Sequence, residues 1–227
     1  SINQYISNLM DVFNESRRVL KDSGSLYVVI GDKYVNGCLS SIPHIFALEM
    51  MNQGWIQRNC IIWRKTNPKP ESVKNRLQTS YEFIFFFTKT NKYYFDDDSI
   101  RQPYKYSRSS QDIRTPHHHS LNDDIQSHSP VFQNPIGKIP TDVIDTSIQS
   151  YGVGKRLGLE IEHAAVYPPE ICINPIKSSS PKGGVVLDPF SGTGTTGEVA
   201  ISLGRKYIAY EINSKFVELS HMRLSNI

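Results

Sequence analysis

Between residues 185 and 211 the chain holds an apolar run, a glycine/threonine turn, a helical stretch and a second apolar run ending in an acid. Residues 185–188 (VVLD) read as a strand. Asp188-Pro189-Phe190-Ser191-Gly192-Thr193-Gly194-Thr195-Thr196-Gly197 then turns into a helix through Val199, Ala200 and Leu203, stopped by Gly204. Residues 207–210 (YIAY) form a second strand closed by Glu211. A strand feeding a glycine turn and a helix brings unpaired N–H groups to a strand end, where open α/β sheets bind ligands. No other feature constrains the fold as strongly. Gly192, Gly194 and Gly197 spell GxGxxG, a weak signal alone, since a tight strand-to-helix turn can hold no ligand at all.

Two features narrow the ligand. Asp188 stands at the mouth of the loop, where its charge would repel a pyrophosphate and favour a cation. Only about one strand and one helix follow, too little for a dinucleotide fold in its usual order. A nicotinamide oxidoreductase is therefore the weaker reading. S-adenosylmethionine, with its sulfonium and ammonium, suits the site, and Glu211 can accept hydrogen bonds from ribose hydroxyls.

The rest of the chain repeats the strand and helix alternation. Ile6, Leu9, Met10, Phe13 and Leu20 recur at helical spacing, stopped by Gly24. Residues 26–30 (LYVVI) read as a buried strand ended by Gly31-Asp32. Pro43 opens a helix closed by Gly54, and 55–64 and 81–88 (YEFIFFFT) read as strands, followed by 93–95. Pro168 and Pro169 suit the first turn of a helix through Ile171 and Ile176. This alternation predicts an α/β fold with a mostly parallel sheet. Residues 97–162 are rich in Ser, Asp, Asn, Gln, Pro and His without periodicity, a stretch of the kind that is functional in compact domains. The expected organisation is 1–96, an irregular insertion at 97–162, and a cofactor half at 163–227.

Composition excludes some classes. The net charge is only +3, so nucleic-acid binding would need a local basic patch. The longest apolar runs fall far short of the roughly 20 residues of a membrane helix. Cys38, Cys60 and Cys172 are odd in number and lack CxxC spacing, which argues against a disulfide framework or zinc site and for a reducing, cytoplasmic compartment.

DPFSGTGTT followed by YIAYE resembles the cofactor motif of DNA amino-methyltransferases that carry this motif near the C-terminus. HAAVYP at 163–168 resembles the motif preceding it. SLYVVIGDKYVNG, WRKTNPKPESVKNR and YEFIFFFTK resemble the middle blocks, in the same order. The resemblance touches nearly the whole chain except about 97–150, and the ordered set is far more specific than any one block. It implies a Rossmann-like, S-adenosylmethionine-dependent sheet with permuted motif order. It implies that Gly192, Gly194 and Glu211 hold the cofactor, with Asp188, Phe190, Ser191, Thr193 and Thr195 around them. His163 and Tyr167 would lie beside its methionine end. The insertion becomes a target-recognition region. The implied activity is methyl transfer to an exocyclic amine of double-stranded DNA, on N4 of cytosine in preference to N6 of adenine, in a restriction-modification system with an endonuclease companion. That chemistry calls for no metal.

One block of the family does not occur in this sequence: the catalytic (Ser/Asp/Asn)-Pro-Pro-(Tyr/Phe) tetrapeptide. Tyr167-Pro168-Pro169-Glu170 has the prolines but the wrong neighbours. Its expected place is upstream of Ser1, in a further roughly 30 to 60 residues that would also supply a strand beside the one ending at Asp188. The other reading is a DNA- and cofactor-binding subunit without catalysis.

The remaining candidates each have a plain alternative. Asp32 fits cofactor support, or an ordinary Gly-Asp turn. Lys65, Lys69, Lys74 and Arg76 surround a proline loop and could grip phosphates, or form a solvated charged loop. Tyr81 could stack on an extruded base, or pack in the core. Tyr104, Lys105, Tyr106 and Arg108 interleave aromatic and basic residues, as nucleic-acid surfaces and polar loops both do. His117, His118 and His119 are adjacent and lack the spacing of a closed metal site. Trp55 and Trp63 read as packing residues.

Overall fold

The computed structural model describes residues 1–104, 134–148, 166–225 and 227. Helix α1 (Ile2–Val19) starts where the Ser1 hydroxyl accepts the Gln4 N–H at 3.2 Å, and buries Ile6, Met10 and Phe13 at helical spacing. Strand β1 (Ser25–Ile30) follows, then a small hairpin of β2 (Tyr34–Val35) and β3 (Cys38–Leu39). Helix α2 (Ile42–Asn52) has Pro43 in its first turn and buries Phe46, Ala47 and Met50. Its opening N–H, on Ile42, donates to Asp32 Oδ1 at 3.2 Å. Strand β4 (Ile56–Lys65) and strand β5 (Tyr81–Thr88) complete the first half.

β5 lies at the centre of a four-stranded sheet ordered β1-β5-β4-β6, where β6 is Val143–Thr146. Its period-2 alternation sorts side chains between two layers. Phe85 and Phe87, with Phe83 beside them, pack under α1 and α2 with Phe46, Met50 and Trp55. Ile84 faces the opposite layer with Trp63 and Ile171. Phe86 stacks on Tyr27 at 4.5 Å, and Tyr93 and Phe95 close over it at 5.7 and 6.1 Å. A central strand covered on both faces accounts for the uninterrupted apolar run of the sequence. Residues 93–95 form no strand.

The expectation of a mostly parallel sheet is corrected. β1 pairs antiparallel with β5, β4 pairs antiparallel with β5, and only β6 runs parallel to β4. The reason is the connection between β4 and β5: a proline loop, not a helix, so the chain returns in the opposite direction. β6 comes from within 97–162, so part of that stretch is sheet edge.

The second half is a smaller α/β unit. Helix α3 (Glu170–Ser179) leads to β7 (Val185–Asp188), helix α4 (Thr195–Ser202), β8 (Lys206–Ala209) and helix α5 (Ser214–Leu224). β7 and β8 are parallel, with α4 as their crossover. Ile176, Val199 and Ala200 form its core with Cys172, Val186 and Tyr207. A Cβ on Gly197 would sit 2.4 Å from the Tyr207 ring, so glycine is what lets α4 pack on β8. Among the described residues no helix is long and apolar enough to cross a membrane.

Candidate functional site

The turn between β7 and α4 carries two positive-φ glycines, Gly192 at 51° and Gly194 at 82°. Both conformations favour glycine, but their surroundings differ. A Cβ on Gly192 would meet nothing within 4 Å, so this part of the backbone opens on free space. A Cβ on Gly194 would lie 2.5 Å from Ser220 Oγ of α5. Gly192 is thus where a ligand can approach the backbone, and Gly194 is where the loop rests on the protein.

Two carboxylates are held by the loop's own amides. Asp188 Oδ1 accepts the Phe190 N–H at 2.9 Å. Glu211 Oε2 accepts the Gly192 N–H and Oε1 accepts the Asn213 N–H, both at 2.8 Å. Ser191 N–H donates to the Tyr210 carbonyl and Tyr210 N–H to the Asp188 carbonyl, both at 3.0 Å, which ties the loop to β8. Each ionised carboxylate oxygen has lone pairs left after one such bond. Positioned acceptors beside an open glycine backbone suit a ligand bearing cationic groups and hydroxyls. Phe190 is half exposed, its ring 6.0 Å from Phe13 of α1.

Behind Asp188 lies a buried polar group. The Tyr167 hydroxyl donates to Asp188 Oδ2 at 3.5 Å and lies 2.6 Å from Thr196 Oγ1. Burial, and then the Asp188 charge, push the Tyr167 phenol well above its ordinary range. The same two causes, in the same order, push the Cys172 thiol up to about 12. Both groups stay protonated around Asp188.

The remaining sequence candidates fall in other places. Asp32 Oδ1 accepts the N–H groups of Lys33 and Ile42, so it caps α2; its Oδ2 has no hydrogen-bond partner among the described residues. Ser191, Thr193 and Thr195 are buried, and the Thr193 hydroxyl has no hydrogen-bond partner among the described residues. His163, the histidines at 117–119, Lys105, Tyr106 and Arg108 lie outside the described residues. Among the described residues no group of three or more His, Cys, Asp or Glu side chains is placed to hold a metal ion.

The basic loop between β4 and β5 divides into two kinds of cation. Lys65 is paired with Glu82 and lies 5.1 Å from the Trp63 ring. Arg76 pairs with Glu71 at 2.8 Å and sits 3.8 Å over the Tyr34 ring of the β2–β3 hairpin. Lys69 and Lys74 are exposed and make no ion pair among the described residues. Tyr81 is exposed at the start of β5, edge-on to Phe83 at 5.4 Å.

Sequence reasoning missed Arg223. Its Nε donates to Glu198 Oε2 at 2.6 Å and its Nη1 to Thr195 Oγ1 at 2.9 Å, beneath the glycine turn. The partners lie 25 and 28 positions away in the chain, so no local pattern marks the residue.

The chain is similar to known proteins over almost its whole length. The model of the N6/N4 DNA methylase family matches residues 1–222. The type II methyltransferase M.SmaI of Serratia marcescens is 30% identical, over 99% of this chain and 75% of its own length. M.Cfr9I of Citrobacter freundii is 29% identical, over 99% and 72%. Among solved structures, the cytosine-N4-specific PvuII DNA methyltransferase superposes with a TM-score of 0.75 at 19% identity, covering 98% of this chain and 71% of that one. A Thermus thermophilus protein solved in complex with S-adenosylmethionine gives 0.62 at 22%, covering 99% and 78%. Both likenesses establish the Rossmann-like methyltransferase fold. With a family match that runs from Ser1 into α5, the chain belongs to the N6/N4 DNA methylase family of S-adenosylmethionine-dependent amino-methyltransferases.

Proposed function

We propose that this protein moves a methyl group from S-adenosylmethionine to the 4-amino group of a cytosine in double-stranded DNA, as the modification partner of a restriction endonuclease. The observation that carries the reading is the Asp188–Gly192–Glu211 cradle in a chain matched along almost its whole length by a DNA methylase family. The choice of cytosine N4 takes its lead from the likeness in fold to a cytosine-N4-specific enzyme, at a TM-score of 0.75.

When bound, S-adenosylmethionine supplies a methyl carbon activated by the adjoining sulfonium. Glu211 accepts ribose hydroxyls with the lone pairs its two amide bonds leave free. Gly192 admits the ligand to the backbone, flanked by Ser191, Thr193 and Thr195, with the Phe190 ring at the rim. Asp188 faces the cationic portion, its orientation set by Phe190 N–H and the Tyr167 hydroxyl. His163 and Tyr167 serve the methionine end, and Asp32 supports the cofactor site. Lys69 and Lys74 contact phosphates, Lys65 and Arg76 hold the loop that carries them, and Tyr81 stacks on the extruded base. Residues 97–162 read the target sequence.

The test is to incubate the protein with S-adenosylmethionine and duplex DNA, digest the DNA to nucleosides and identify methylated bases by mass spectrometry. N4-methyldeoxycytidine is expected. N6-methyldeoxyadenosine would overturn the cytosine assignment. No methylated base from the full-length protein, with cofactor binding intact, would identify a binding subunit that does not catalyse.

A further inference from the structure

α5 follows β8 and carries a charged residue with only 8% of its surface exposed. That residue, Arg223, is one position beyond the segment matched by the family model. Its guanidinium spans three parts of the cofactor unit. Nε donates to Glu198 Oε2 on α4 at 2.6 Å, and Nη2 pairs with the same carboxylate. Nη1 donates to the Thr195 hydroxyl in the first turn of α4 at 2.9 Å and reaches the Thr193 carbonyl at 3.5 Å. One helical turn earlier, Ser220 is the atom group on which Gly194 rests.

Burying the arginine of an ion pair is a poor device for stability, because its desolvation offsets much of the Coulomb energy gained with the part-exposed Glu198. This one is placed where geometry matters. Thr193 lies between the two positive-φ glycines, and Thr195 begins the helix whose N-terminus faces the ligand. Ser191 N–H and Gly192 N–H tie the loop to the Tyr210 carbonyl and to Glu211, on the β8 side. Arg223 is the group that grips it from beneath. A rigid five-donor fork can hold a carboxylate, a hydroxyl and a carbonyl at once, which a lysine ammonium cannot do from one position.

We propose that Arg223 is a positioning residue for cofactor binding: by fixing Thr193 and Thr195 against Glu198, it sets the Gly192–Gly194 turn in its ligand-accepting shape before the ligand arrives. The proposal rests on the reading of that turn as the S-adenosylmethionine site. Preorganisation of this kind acts on affinity, since a loop already ordered loses less freedom on binding.

The experiment is calorimetric titration with S-adenosylmethionine of the wild-type protein, Arg223→Lys, and the double variant Arg223→Met/Glu198→Met, with thermal unfolding of each. The double change removes both charges, so the part-exposed Glu198 carboxylate is not left without its partner. It should fold and bind about tenfold more weakly. Arg223→Lys should lose about threefold, because it restores the charge opposite Glu198 without the fork. In turnover, KM for S-adenosylmethionine should rise by more than kcat falls, while KM for DNA holds. A folded double variant with wild-type affinity, or a loss shared equally by kcat and both KM values, would overturn the proposal. If the double variant does not fold, Arg223→Lys decides alone, and wild-type affinity in it is the overturning result. A wild-type protein that binds no S-adenosylmethionine fails the cofactor reading itself, and this proposal with it.

Discussion

The β7–α4 turn and the β4–β5 loop both leave the end of a strand, and both carry the charges that drew attention in the sequence. They use those charges in opposite ways. In the turn, Asp188 and Glu211 are anchored by backbone N–H groups, which orient a carboxylate without neutralising it. In the loop, Lys65 and Arg76 are paired with Glu82 and Glu71, which neutralises them. The difference shows that a charge counts toward ligand binding according to what holds it. An amide leaves a formal charge available, and a counter-ion takes it up.

The largest effect expected from this contrast lies at the glycines. Gly194→Val combines a strained φ of 82° with a clash on Ser220, so it should cost about 3 kcal/mol in urea unfolding and abolish cofactor binding. Gly192→Ala has open space around it and should cost about 1 kcal/mol of stability, while its loss of affinity is greater than its loss of stability. If Gly192→Ala binds S-adenosylmethionine as the wild type does, the backbone at Gly192 is not approached by ligand, and the distinction drawn between the two glycines fails.

The loop gives a milder effect. Removing Lys69 and Lys74 together should weaken DNA binding at every sequence and reduce the slope of log affinity against log salt by about two. Removing Lys65 and Arg76 should leave that slope nearly unchanged and lower the melting temperature, since their charges already have partners. Slopes measured in the reverse order would break the comparison at its loop side.

The smallest effect concerns pH. The Cys172 thiol, ordinarily near 9.0, is pushed up to about 12 by burial and by Asp188. A raised value means the folded state keeps a proton that the unfolded state gives up. The associated stability is therefore complete below 9.0 and is lost as pH rises toward 12. Chemical unfolding one pH unit above 9.0 should show about 1 kcal/mol less stability from Cys172, and Cys172→Ala should reduce that dependence to the part left by the raised Tyr167 phenol. A wild-type slope retained in Cys172→Ala would place the titrating group elsewhere.

Legibility in the sequence followed the reach of each interaction. β5 and β7 could be read to their ends, because a run of apolar residues reports burial directly. Strand direction could not, since periodicity is the same in parallel and antiparallel pairs; the proline loop after β4 held the clue. β6 is four residues long and half-buried at the sheet edge, which leaves almost no pattern to see. At the site, Gly192 and Glu211 were legible because they lie in one strand–turn–helix–strand unit. The pairing of Arg76 with Tyr34, and of Arg223 with Glu198 and Thr195, joins segments brought together only by the fold.

The central claim is that Glu211, held by Gly192 and Asn213 amides, is a cofactor acceptor. The direct measurement is calorimetric titration of the wild-type protein and Glu211→Ala with S-adenosylmethionine under identical conditions. The account predicts saturable wild-type binding weakened by about 1.5 to 3 kcal/mol in the variant, the scale of hydrogen bonds to a charged group. Equal affinities in the two proteins, with the variant folded, would contradict it.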